Sequence, residues 1–367
     1  GNKKFISYMN IFTNSTVRLD IDDKVKVGKE EKQNKITYGD ILFTGSSETP
    51  DECGMTSVVT CEINEDIYLN SFSFGYRFNN LNGLFPKFFS FLMRSHFIRD
   101  EITKTANGVT RFNVSKKLLG KVMIPIPPLS TQLSIVSELD KINELIRLKK
   151  EQLKDYDNLA QSLFYDIFGD PVNNEKGWNV KKLGDVCEVS SFKRVLVEDV
   201  LEKGPVPFIR GTELSAICKE NKREYKMYIT MEHYERVKNI SGVPNVGDLL
   251  IPSINAEGLV WVVDTPEPMY YKDGRVLWVH VDQNSISPIA LQRILNNLIK
   301  DNYSKITNGA VFAELNLSIL RSFPIILPPL SIQNAFANKI NLIEKQKAEI
   351  QSTIAALETL LASRMQY

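Results

Sequence analysis

The stretch Pro127-Pro128-Leu129-Ser130-Thr131-Gln132 opens a long helical segment, and it returns 201 residues later (328 − 127 = 201) as Pro328-Pro329-Leu330-Ser331-Ile332-Gln333. The same offset carries Asn107-Gly108 onto Asn308-Gly309, so the two segments align without a gap from residue 107 to the C-terminus. A register of this length indicates an internal repeat, in which a globular part and a long helix each occur twice.

The repeat also extends upstream, with drifting offsets. Tyr38–Phe43 resembles Val246–Ile251, and Phe5-Ile6 resembles Phe208-Ile209. Insertions and deletions have therefore accumulated in the globular parts, whereas the helical parts kept their length. The first copy lacks a counterpart of the segment from Gly177 to about Pro205, so we expect the start of the first domain to be missing.

Composition limits the function but does not decide it. With 367 residues, of which 43% are hydrophobic, the chain is long enough for two ordinary cores. The formal net charge is +1, from 45 Lys and Arg against 44 Asp and Glu. Non-specific DNA binders are usually more basic, because phosphate neutralisation supplies most of their affinity. If nucleic acid is the target, basic residues must gather on one face, or partner subunits must share the binding.

The cysteine pattern and the hydropathy point to a cytoplasmic protein. Cys53, Cys61, Cys187 and Cys218 show no CxxC spacing, which favours thiols in a reducing compartment over a metal site. No apolar run approaches the roughly 18 residues that cross a bilayer, and no signal peptide is visible.

The globular parts mix short strand-like runs, such as Tyr68–Phe74, with single helices, which predicts α+β domains. One helix is expected at Leu84 to Ile102, and another at Pro288 to about Lys300 in the second copy. We divide the chain into a first domain at 1–129, a central helix at 130–170, a second domain at 171–329 and a C-terminal helix at 330–367.

Both helical segments carry an apolar heptad stripe, with Ser130 as the expected N-cap of the first. Neither helix could bury its stripe alone, so we expect the two to pack together, antiparallel, with the domains at opposite ends about a pseudo-two-fold axis. The alternative is that both are ordinary core helices of one large domain.

In order along the chain, Gly177-Trp178, Lys182–Cys187, Gly247–Leu250, Asn308-Gly309 and Pro328–Gln333 precede a long helix. This ordered set resembles the target-recognition domain and conserved helix of type I restriction-modification specificity subunits. Phe164–Pro171 resembles the close of that family's central spacer. The resemblance covers essentially the whole chain.

The resemblance implies a non-catalytic reader of double-stranded DNA without a cofactor. Each domain would read one half of a bipartite site, and the helices would set the gap. Methyltransferase subunits would dock on the helices, and restriction subunits would join the complex. The residues we assign to partner binding lie in the heptad stripes. They are Leu139, Ile142, Ile146, Leu153, Ile343, Ile350, Ile354 and Leu357.

The sequence offers little else that suggests catalysis. It lacks an amino-methyltransferase tetrad, a glycine-rich S-adenosylmethionine loop and a GxxxxGK[ST] phosphate loop. Asp40 and Asp248 occupy matching turns, where local hydrogen bonding into a strand is the favoured role. Glu220-Asn221-Lys222 matches the tail of a nuclease motif, but such triplets are common in a chain rich in Glu and Lys.

DNA contacts require polar side chains on loops and strand edges. In both domains the loop after the Gly-Asp strand is the first candidate, joined by basic residues before and after it. In the first domain the candidates are Tyr8, Asn10, Thr44, Ser46, Ser47, Lys104 and Arg111. In the second they are Arg210, Thr212, Ser253, Asn255, Lys272, Arg275 and Lys305, with Lys272 and Arg275 expected in a hairpin.

Two other functions stay open at this point. One is the specificity part of a fused methyltransferase polypeptide, which the upstream coding sequence would reveal. The other is a coiled-coil scaffold that pairs proteins without reading DNA.

Overall fold

The computed structural model of the chain describes residues 1–28, 30–31, 33–306 and 314–365, with the backbone alone at 304–306. The chain forms two compact units. Unit 1 comprises Gly1–Gln152 and Glu349–Tyr367, and unit 2 comprises Leu153–Ala348. Each unit therefore contains one part of each long helix.

Unit 1 alternates short strands and short helices before the long helix begins. Its strands are β1 (Lys3–Ile6), β2 (Lys24–Val25), β3 (Ile41–Thr44), β4 (Ser46–Ser47), β5 (Thr56–Val58), β6 (Ile67–Leu69), β7 (Ser73–Tyr76), β8 (Ala106–Asn107) and β9 (Phe112–Val114). Its helices are α1 (Tyr8–Thr13), α2 (Pro86–Leu92), α3 (His96–Thr103), α4 (Lys116–Leu119) and the first part of α5 (Leu129–Phe168).

Unit 2 has the same mixed composition. Its strands are β10 (Asn179–Lys182), β11 (Glu188–Ser191), β12 (Val206–Ile209), β13 (Tyr228–Ile229), β14 (Leu249–Pro252), β15 (Trp261–Val262), β16 (Tyr270–Tyr271), β17 (Val276–His280) and β18 (Pro324–Leu327). Its helices are α6 (Leu183–Val186), α7 (Gly211–Glu220), α8 (Met231–Ser241), α9 (Pro288–Ile306), α10 (Leu317–Arg321) and the first part of α11 (Leu330–Arg364), with a 3-10 turn at Val197–Asp199.

The sheets repeat the internal symmetry of the sequence. In unit 1, β1 pairs in parallel with β6 and sets Phe5 opposite Tyr68, and in unit 2, β12 pairs in parallel with β16 and sets Phe208 opposite Tyr270. Likewise β3 lies between β5 and β7, and β14 lies between β15 and β17. The structural repeat predicted from Phe5-Ile6 and Phe208-Ile209 is therefore confirmed.

The two Gly-Asp turns have the same geometry. The Oδ2 atom of Asp40 accepts a hydrogen bond from the Thr37 backbone N–H at 2.8 Å, and Oδ2 of Asp248 accepts one from Asn245 at 2.8 Å. Gly39 and Gly247 stand before them with φ of 87° and 99°, a region that side chains disfavour. The predicted local role of both aspartates is confirmed.

The repeated glutamine explains the motif at the start of each long helix. Gln132 is buried. Its Oε1 atom accepts from the Phe85 N–H at 2.9 Å, and its Nε2 atom donates to the carbonyls of Gly83 and Pro127 at 2.9 and 2.8 Å. Gln333 repeats the arrangement, with the Ser287 N–H at 2.9 Å and the Pro328 carbonyl at 2.7 Å. Each glutamine thus joins a long helix to the start of a globular helix, α2 or α9.

The start of the first long helix differs by one residue from the prediction, whereas the second starts at Leu330 as predicted. Helix α5 begins at Leu129, and the N–H groups of Thr131 and Gln132 donate to the Pro128 carbonyl. The prediction of Ser130 as N-cap was therefore wrong, because Pro128 supplies the first helical acceptor. Pro329 does the same for α11.

Within each unit the long helices run antiparallel. In unit 1, Glu138 pairs with Arg364 at 3.0 Å and Lys150 pairs with Glu358 at 2.9 Å. In unit 2, the Phe168 and Phe336 rings lie 4.8 Å apart, and Phe164 packs against both. The predicted fold class, α+β with two similar units and long antiparallel helices, is confirmed.

Two predicted elements divide in the structure. The helix expected at Leu84 to Ile102 is α2 and α3, because Ser95 ends one and caps the other: its Oγ donates to the Leu92 carbonyl and accepts from Ile98 N–H. The run Tyr68 to Phe74 is also not continuous, since a turn separates β6 from β7.

Candidate nucleic-acid interface

In unit 1, several of the predicted DNA contacts line one groove. The Tyr8 hydroxyl donates to the Ser46 carbonyl at 2.9 Å, and the Arg111 Nε atom donates to Ser46 Oγ at 3.1 Å. Ser47 completes the set, with its Oγ donating to a Glu52 carboxylate oxygen at 3.2 Å. The groove has a volume of about 440 Å³.

Strand pairing brings these distant residues together. Strand β4 pairs antiparallel with β9, which sets Ser46 opposite Asn113, and Arg111 directly precedes β9. Asn107 pairs with Asn113 in the β8–β9 hairpin, where Gly108 has a φ of 149°. Asn107-Gly108 thus begins the turn that joins β8 to β9. Asn308-Gly309 lies outside the described residues.

The groove also has an aromatic and an acidic side that the sequence reading missed. Phe72 is 64% exposed, Met9 is exposed beside it, and the Tyr8 and Phe12 rings stack at 5.8 Å. Glu48 and Glu52 line the same groove. The sequence did not single out Phe72, because the run Tyr68–Phe74 predicts a strand there. In the structure Phe72 lies in a turn, where its N–H donates to the Asn70 side-chain oxygen at 2.9 Å.

Three other candidates of the first domain lie outside this groove. Thr44 is buried, and its hydroxyl accepts from the Met55 N–H at 2.9 Å. The Asn10 side-chain amide donates to the Arg18 carbonyl and accepts from the Arg18 N–H. Lys104 follows α3 and pairs with Glu101 at 2.6 Å. Thr44 and Asn10 therefore hold the scaffold, and Lys104 lies on another part of the surface.

In unit 2, backbone hydrogen bonds join the predicted segments. The Lys272 N–H donates to the Ile209 carbonyl at 2.8 Å, and Ser253 N–H donates to the Arg275 carbonyl at 3.0 Å. Arg210, Lys272 and Arg275 thus stand on adjoining loops. Lys272 to Arg275 form a tight turn between β16 and β17, but these two strands do not pair with each other as in the expected hairpin. Strand β16 pairs with β12, whereas β17 pairs with β14.

Each of these cations has a carboxylate partner. Arg210 pairs with Glu213 at 2.5 Å, Lys272 pairs with Asp273 at 3.1 Å, and Arg275 pairs with Glu314. The hydrogen bonds that Arg210 donates to the Glu213 carboxylate raise the pKa of Arg210 above its ordinary value. The charge that this surface offers to a ligand is therefore partly neutralised within the unit.

The hydroxyl and amide candidates of the second domain are used within the fold. Ser253 and Asn255 are buried, and the Asn255 side chain bonds the Leu259 backbone at 2.6 and 2.8 Å. Thr212 donates to Glu213 at 2.9 Å. The backbone of Lys305 is helical, and its side chain lies outside the described part of the chain.

Two further cations adjoin the same loops. Lys193 and Arg194 are exposed and follow β11, whose Ser191 Oγ accepts from the Gly274 N–H at 3.2 Å. The Lys193 N–H donates to the Tyr270 hydroxyl at 2.9 Å. The sequence prediction did not include Lys193 and Arg194. Only their adjacent positions marked them, and a pair of basic residues alone does not reveal which loops lie beside it in the fold.

The seams of the long helices are filled by the chain itself. Of the eight residues predicted to bind partners, Leu139, Ile142, Ile146, Ile343, Ile350 and Ile354 are buried, and Leu153 and Leu357 are half-buried. Exposed leucines lie elsewhere on the same helices. They are Leu129, Leu133, Leu145, Leu148, Leu159, Leu342 and Leu360.

Within the described residues, the possible metal ligands are scattered over the structure. In residues 1–28, 30–31, 33–306 and 314–365, no three His, Cys, Asp or Glu side chains gather as ligands. Burial raises the pKa of the Cys187 thiol to about 11 and that of Cys218 to about 12, which disfavours the thiolate that binds metals. None of the described helices is both long and apolar enough to span a bilayer.

Comparison with known proteins agrees with this architecture. The family model of the type I restriction modification DNA specificity domain matches residues 1–155 and 175–359. A Haemophilus influenzae protein named as type I restriction enzyme specificity subunit S.HindORF215P is 26% identical over 241 residues, which cover 65% of this chain and 60% of that protein. The MjaVIII specificity subunit of Methanocaldococcus jannaschii is 21% identical over 75% of this chain and 68% of its own.

Solved structures share the fold. A chain from a structure titled for complex assembly and conformational transition of the type I R-M system aligns with a TM-score of 0.66 and 20% identity, over 98% of this chain and 89% of that one. The type I restriction-modification system S subunit from M. genitalium aligns with a TM-score of 0.52 and 14% identity, over 100% and 88%. With the family model matching both halves of the repeat, the chain belongs to the type I restriction modification DNA specificity domain family.

Proposed function

We propose that this chain is the DNA-recognition subunit of a type I restriction-modification complex, and that each unit reads one half of a bipartite duplex site. The observation that carries the proposal is the repetition of one scaffold with two different polar surfaces. The loop after the Gly-Asp strand meets a basic segment in both units, at Ser46 and Arg111 in one and at Ser253 and Arg275 in the other.

In unit 1 the groove suits a base edge. Arg111 donates a hydrogen bond from Nε to Ser46 Oγ, and its other guanidinium N–H groups can donate to acceptors such as guanine O6 and N7. Ser47, Glu48 and Glu52 present oxygen atoms that accept from the amino groups of cytosine or adenine. The exposed ring of Phe72 adds an apolar contact for a thymine methyl group.

In unit 2 we assign phosphate positioning to Lys193 and Arg194 and to the ion-paired cations beside them. A duplex that approaches Arg210, Lys272 and Arg275 must replace their carboxylate partners, so these contacts gain less than free cations would. Together with a net charge of +1, this predicts weak binding by the isolated chain. Methyltransferase subunits would supply the missing positive charge.

The long helices, which both units share, are proposed to set the gap between the half-sites and to dock the methyltransferase subunits. Because the heptad seams are filled within the chain, we assign docking to the exposed leucines on the outer faces. Leu145 and Leu148 on α5 and Leu342 on α11 are the first to test. We assign no catalytic group to this chain, so methylation and cleavage belong to the partners.

The experiment is a genome-wide map of methylated bases after co-expression with the cognate methyltransferase subunit in a methylation-free host. One split motif with a constant gap is expected. Exchange of residues 1–128 for those of a relative should change one half of that motif and leave the other half and the gap unaltered.

Two results would contradict the proposal. A stable complex that methylates nothing would favour the scaffold that pairs proteins without reading DNA. An upstream reading frame that continues into a methyltransferase domain would make the chain the specificity part of a fused enzyme.

A further inference from the structure

Two arginines beside the break between α2 and α3 bond the elements that form the groove of unit 1. Arg94 lies in the break itself, and Arg99 lies on α3. Both residues are half-buried, and neither lines the groove. Within the described part of the chain, the hydrogen bonds of both guanidinium groups end on backbone carbonyls. Their contacts therefore fix the path of the chain.

Arg94 holds the end of α1. Its Nε atom donates to the Thr56 carbonyl at 2.8 Å. Its Nη2 atom donates to carbonyls at the end of α1, which are those of Ile11 at 2.8 Å, Phe12 at 3.0 Å and Asn14 at 2.9 Å. The last carbonyls of a helix lack partners within it, so Arg94 completes this end and ties it to β5. Helix α1 supplies three side chains to the groove, those of Tyr8, Met9 and Phe12.

Arg99 holds the loop 48–55, which supplies other side chains to the same groove. Its Nη1 atom donates to the Gly54 carbonyl at 2.6 Å. Its Nη2 atom donates to the carbonyls of Asp51 and Cys53, both at 2.8 Å. These carbonyls lie on both sides of Glu52, which lines the groove. The position of the Glu52 backbone is thus set from α3.

The two guanidinium groups hold these segments at a cost. Burial, together with the nearby charge of Arg99, lowers the pKa of Arg94 to about 10. Burial also lowers the pKa of Arg99. A guanidinium presents its N–H groups in one rigid plane, so it imposes fixed spacings on the carbonyls that it bonds. The flexible ammonium of a lysine keeps the charge but cannot impose those spacings.

Unit 2 holds its corresponding elements differently. Helix α9 runs without a break from Pro288 to Ile306, and its one arginine, Arg293, pairs with Glu344 of α11 at 3.2 Å. The loop after β14 is held by its own Asn255, whose side chain bonds the Leu259 backbone at 2.6 and 2.8 Å. The carbonyl contacts of Arg94 and Arg99 therefore act on the groove of unit 1.

We propose that Arg94 and Arg99 are positioning residues for sequence readout by unit 1. They fix α1 and the loop 48–55 at the spacing at which Tyr8, Glu52 and Arg111 meet one half-site. This inference rests on the proposed DNA-recognition function. It adds that the specificity for one half-site depends on two residues that lie behind the groove.

The test introduces Arg94→Lys and Arg99→Lys, separately, into the complex co-expressed with its methyltransferase subunit. The measured quantity is methylation at sites with the full motif relative to sites with one changed base. For the half of the motif that changes when residues 1–128 are exchanged, this ratio should fall about tenfold, because the contacting side chains are displaced. The ratio for the other half should not change, and sites with the full motif should still be methylated.

Arg77→Lys is the matched control in the same unit. Arg77 bonds the Asp40 carboxylate at 2.7 Å and the Lys35 carbonyl at 2.9 Å. Asp40 precedes β3 whereas Ser46 follows it, so these bonds lie at the end of the strand away from the groove. Arg77→Lys should weaken the fold but leave the discrimination of both halves intact. A merely structural role of Arg94 and Arg99 would make all three variants behave alike.

Amide hydrogen exchange tests the two contacts without DNA. In Arg94→Lys, exchange at residues 11–14 should become at least about tenfold faster, and in Arg99→Lys the same should hold at residues 51–55. Strand β17 of unit 2 is the internal reference and should not change.

Three outcomes would overturn this inference alone. They are unchanged discrimination in both variants of a chain that otherwise methylates a split motif, an equal loss of discrimination in Arg77→Lys, and unchanged exchange at residues 11–14 and 51–55. If the unsubstituted chain directs no split motif, the proposed function fails and this inference fails with it. The unsubstituted chain therefore distinguishes the two failures.

Discussion

The two units share a scaffold but differ in how they hold their polar side chains. In unit 1, Arg111 bonds a hydroxyl and borders a groove with an exposed phenylalanine. In unit 2, Arg210 and Arg275 each bond a carboxylate of their own unit. By contrast, each turn aspartate accepts a bond from the backbone N–H three residues before it. Each helix-start glutamine accepts from the N–H at the start of a globular helix and donates to a proline carbonyl in both units. The repeat therefore preserves the residues that shape the unit and varies those that we assign to DNA contact.

The largest loss of stability is expected when either of the buried glutamines that both units share is replaced. Gln132→Ala or Gln333→Ala removes the acceptor of a helix-start N–H and the donor to a proline carbonyl. The groups left without these bonds are half-buried around Gln132 and buried around Gln333. Each change should cost about 3 kcal/mol in its own unit. Because a chain of two units does not unfold in one step, the measurement is the opening free energy from amide exchange at Phe85 and Ser287.

Gln161→Ala is the control for this pair, since Gln161 is an exposed residue of α5. It should cost no more than a few tenths of a kcal/mol. A loss below about 1 kcal/mol at either buried glutamine, or a loss in one unit alone, would mean that the two helix starts are not equivalent.

The next largest effect is expected in the groove of unit 1, where a substitution should affect one half-site only. Arg111→Ala should relax one half of the methylated motif by about 1–3 kcal/mol of discrimination and leave the other half intact. Lys104→Ala is the control, because Lys104 pairs with Glu101 outside the groove. Equal relaxation of both halves would show that Arg111 acts on overall affinity instead of on a base.

The sequence predicted the architecture well because the repeat fixes long-range equivalences that single residues do not. The Pro-Pro-Leu-Ser motif located both long helices to within one residue, and the Gly-Asp pairs located both central strands. The predictions that were wrong concern local breaks in single elements. Ser95 divides a predicted helix, and the turn after Asn70 divides a strand-like run. Such breaks depend on single side-chain bonds within otherwise continuous patterns.

The candidate site was less predictable, for a physical reason. Polar loop residues look alike in sequence whether they face solvent or satisfy the backbone. Ser46 and Arg111 meet because β4 pairs with β9, a contact across 65 residues, whereas Asn255 is buried on its own loop. The heptad stripes likewise identified side chains that pack within the chain, and for that reason the docking surface that we propose is assigned to the other faces of those helices.

In unit 2 the comparison can be tested by removing a competing charge. Glu213→Gln removes the charge that holds Arg210, so DNA binding by the assembled complex should tighten by up to about 1 kcal/mol. The salt dependence should steepen by about one counterion. Glu220→Gln makes the same charge change on the same helix, at an exposed position, and should leave both quantities nearly unaltered. If both variants bind alike, net charge alone governs affinity and Arg210 is not a DNA contact.

The smallest expected effect concerns the helix seam of unit 2, where a cation replaces an apolar heptad residue. Burial opposes the charge of Lys347, but its bonds to Asp157 at 2.7 Å and to Glu344 raise its pKa above the ordinary 10.5. The ion pair therefore contributes stability below about pH 10.5 and loses it as the pH rises through the higher folded-state pKa. A double-mutant cycle of Asp157→Asn and Lys347→Met should give a coupling of about 0.5 kcal/mol at pH 8, since Asp157 is largely exposed. The coupling should vanish towards pH 12, and a coupling that stays constant would show that the contact is one of packing, not of charge.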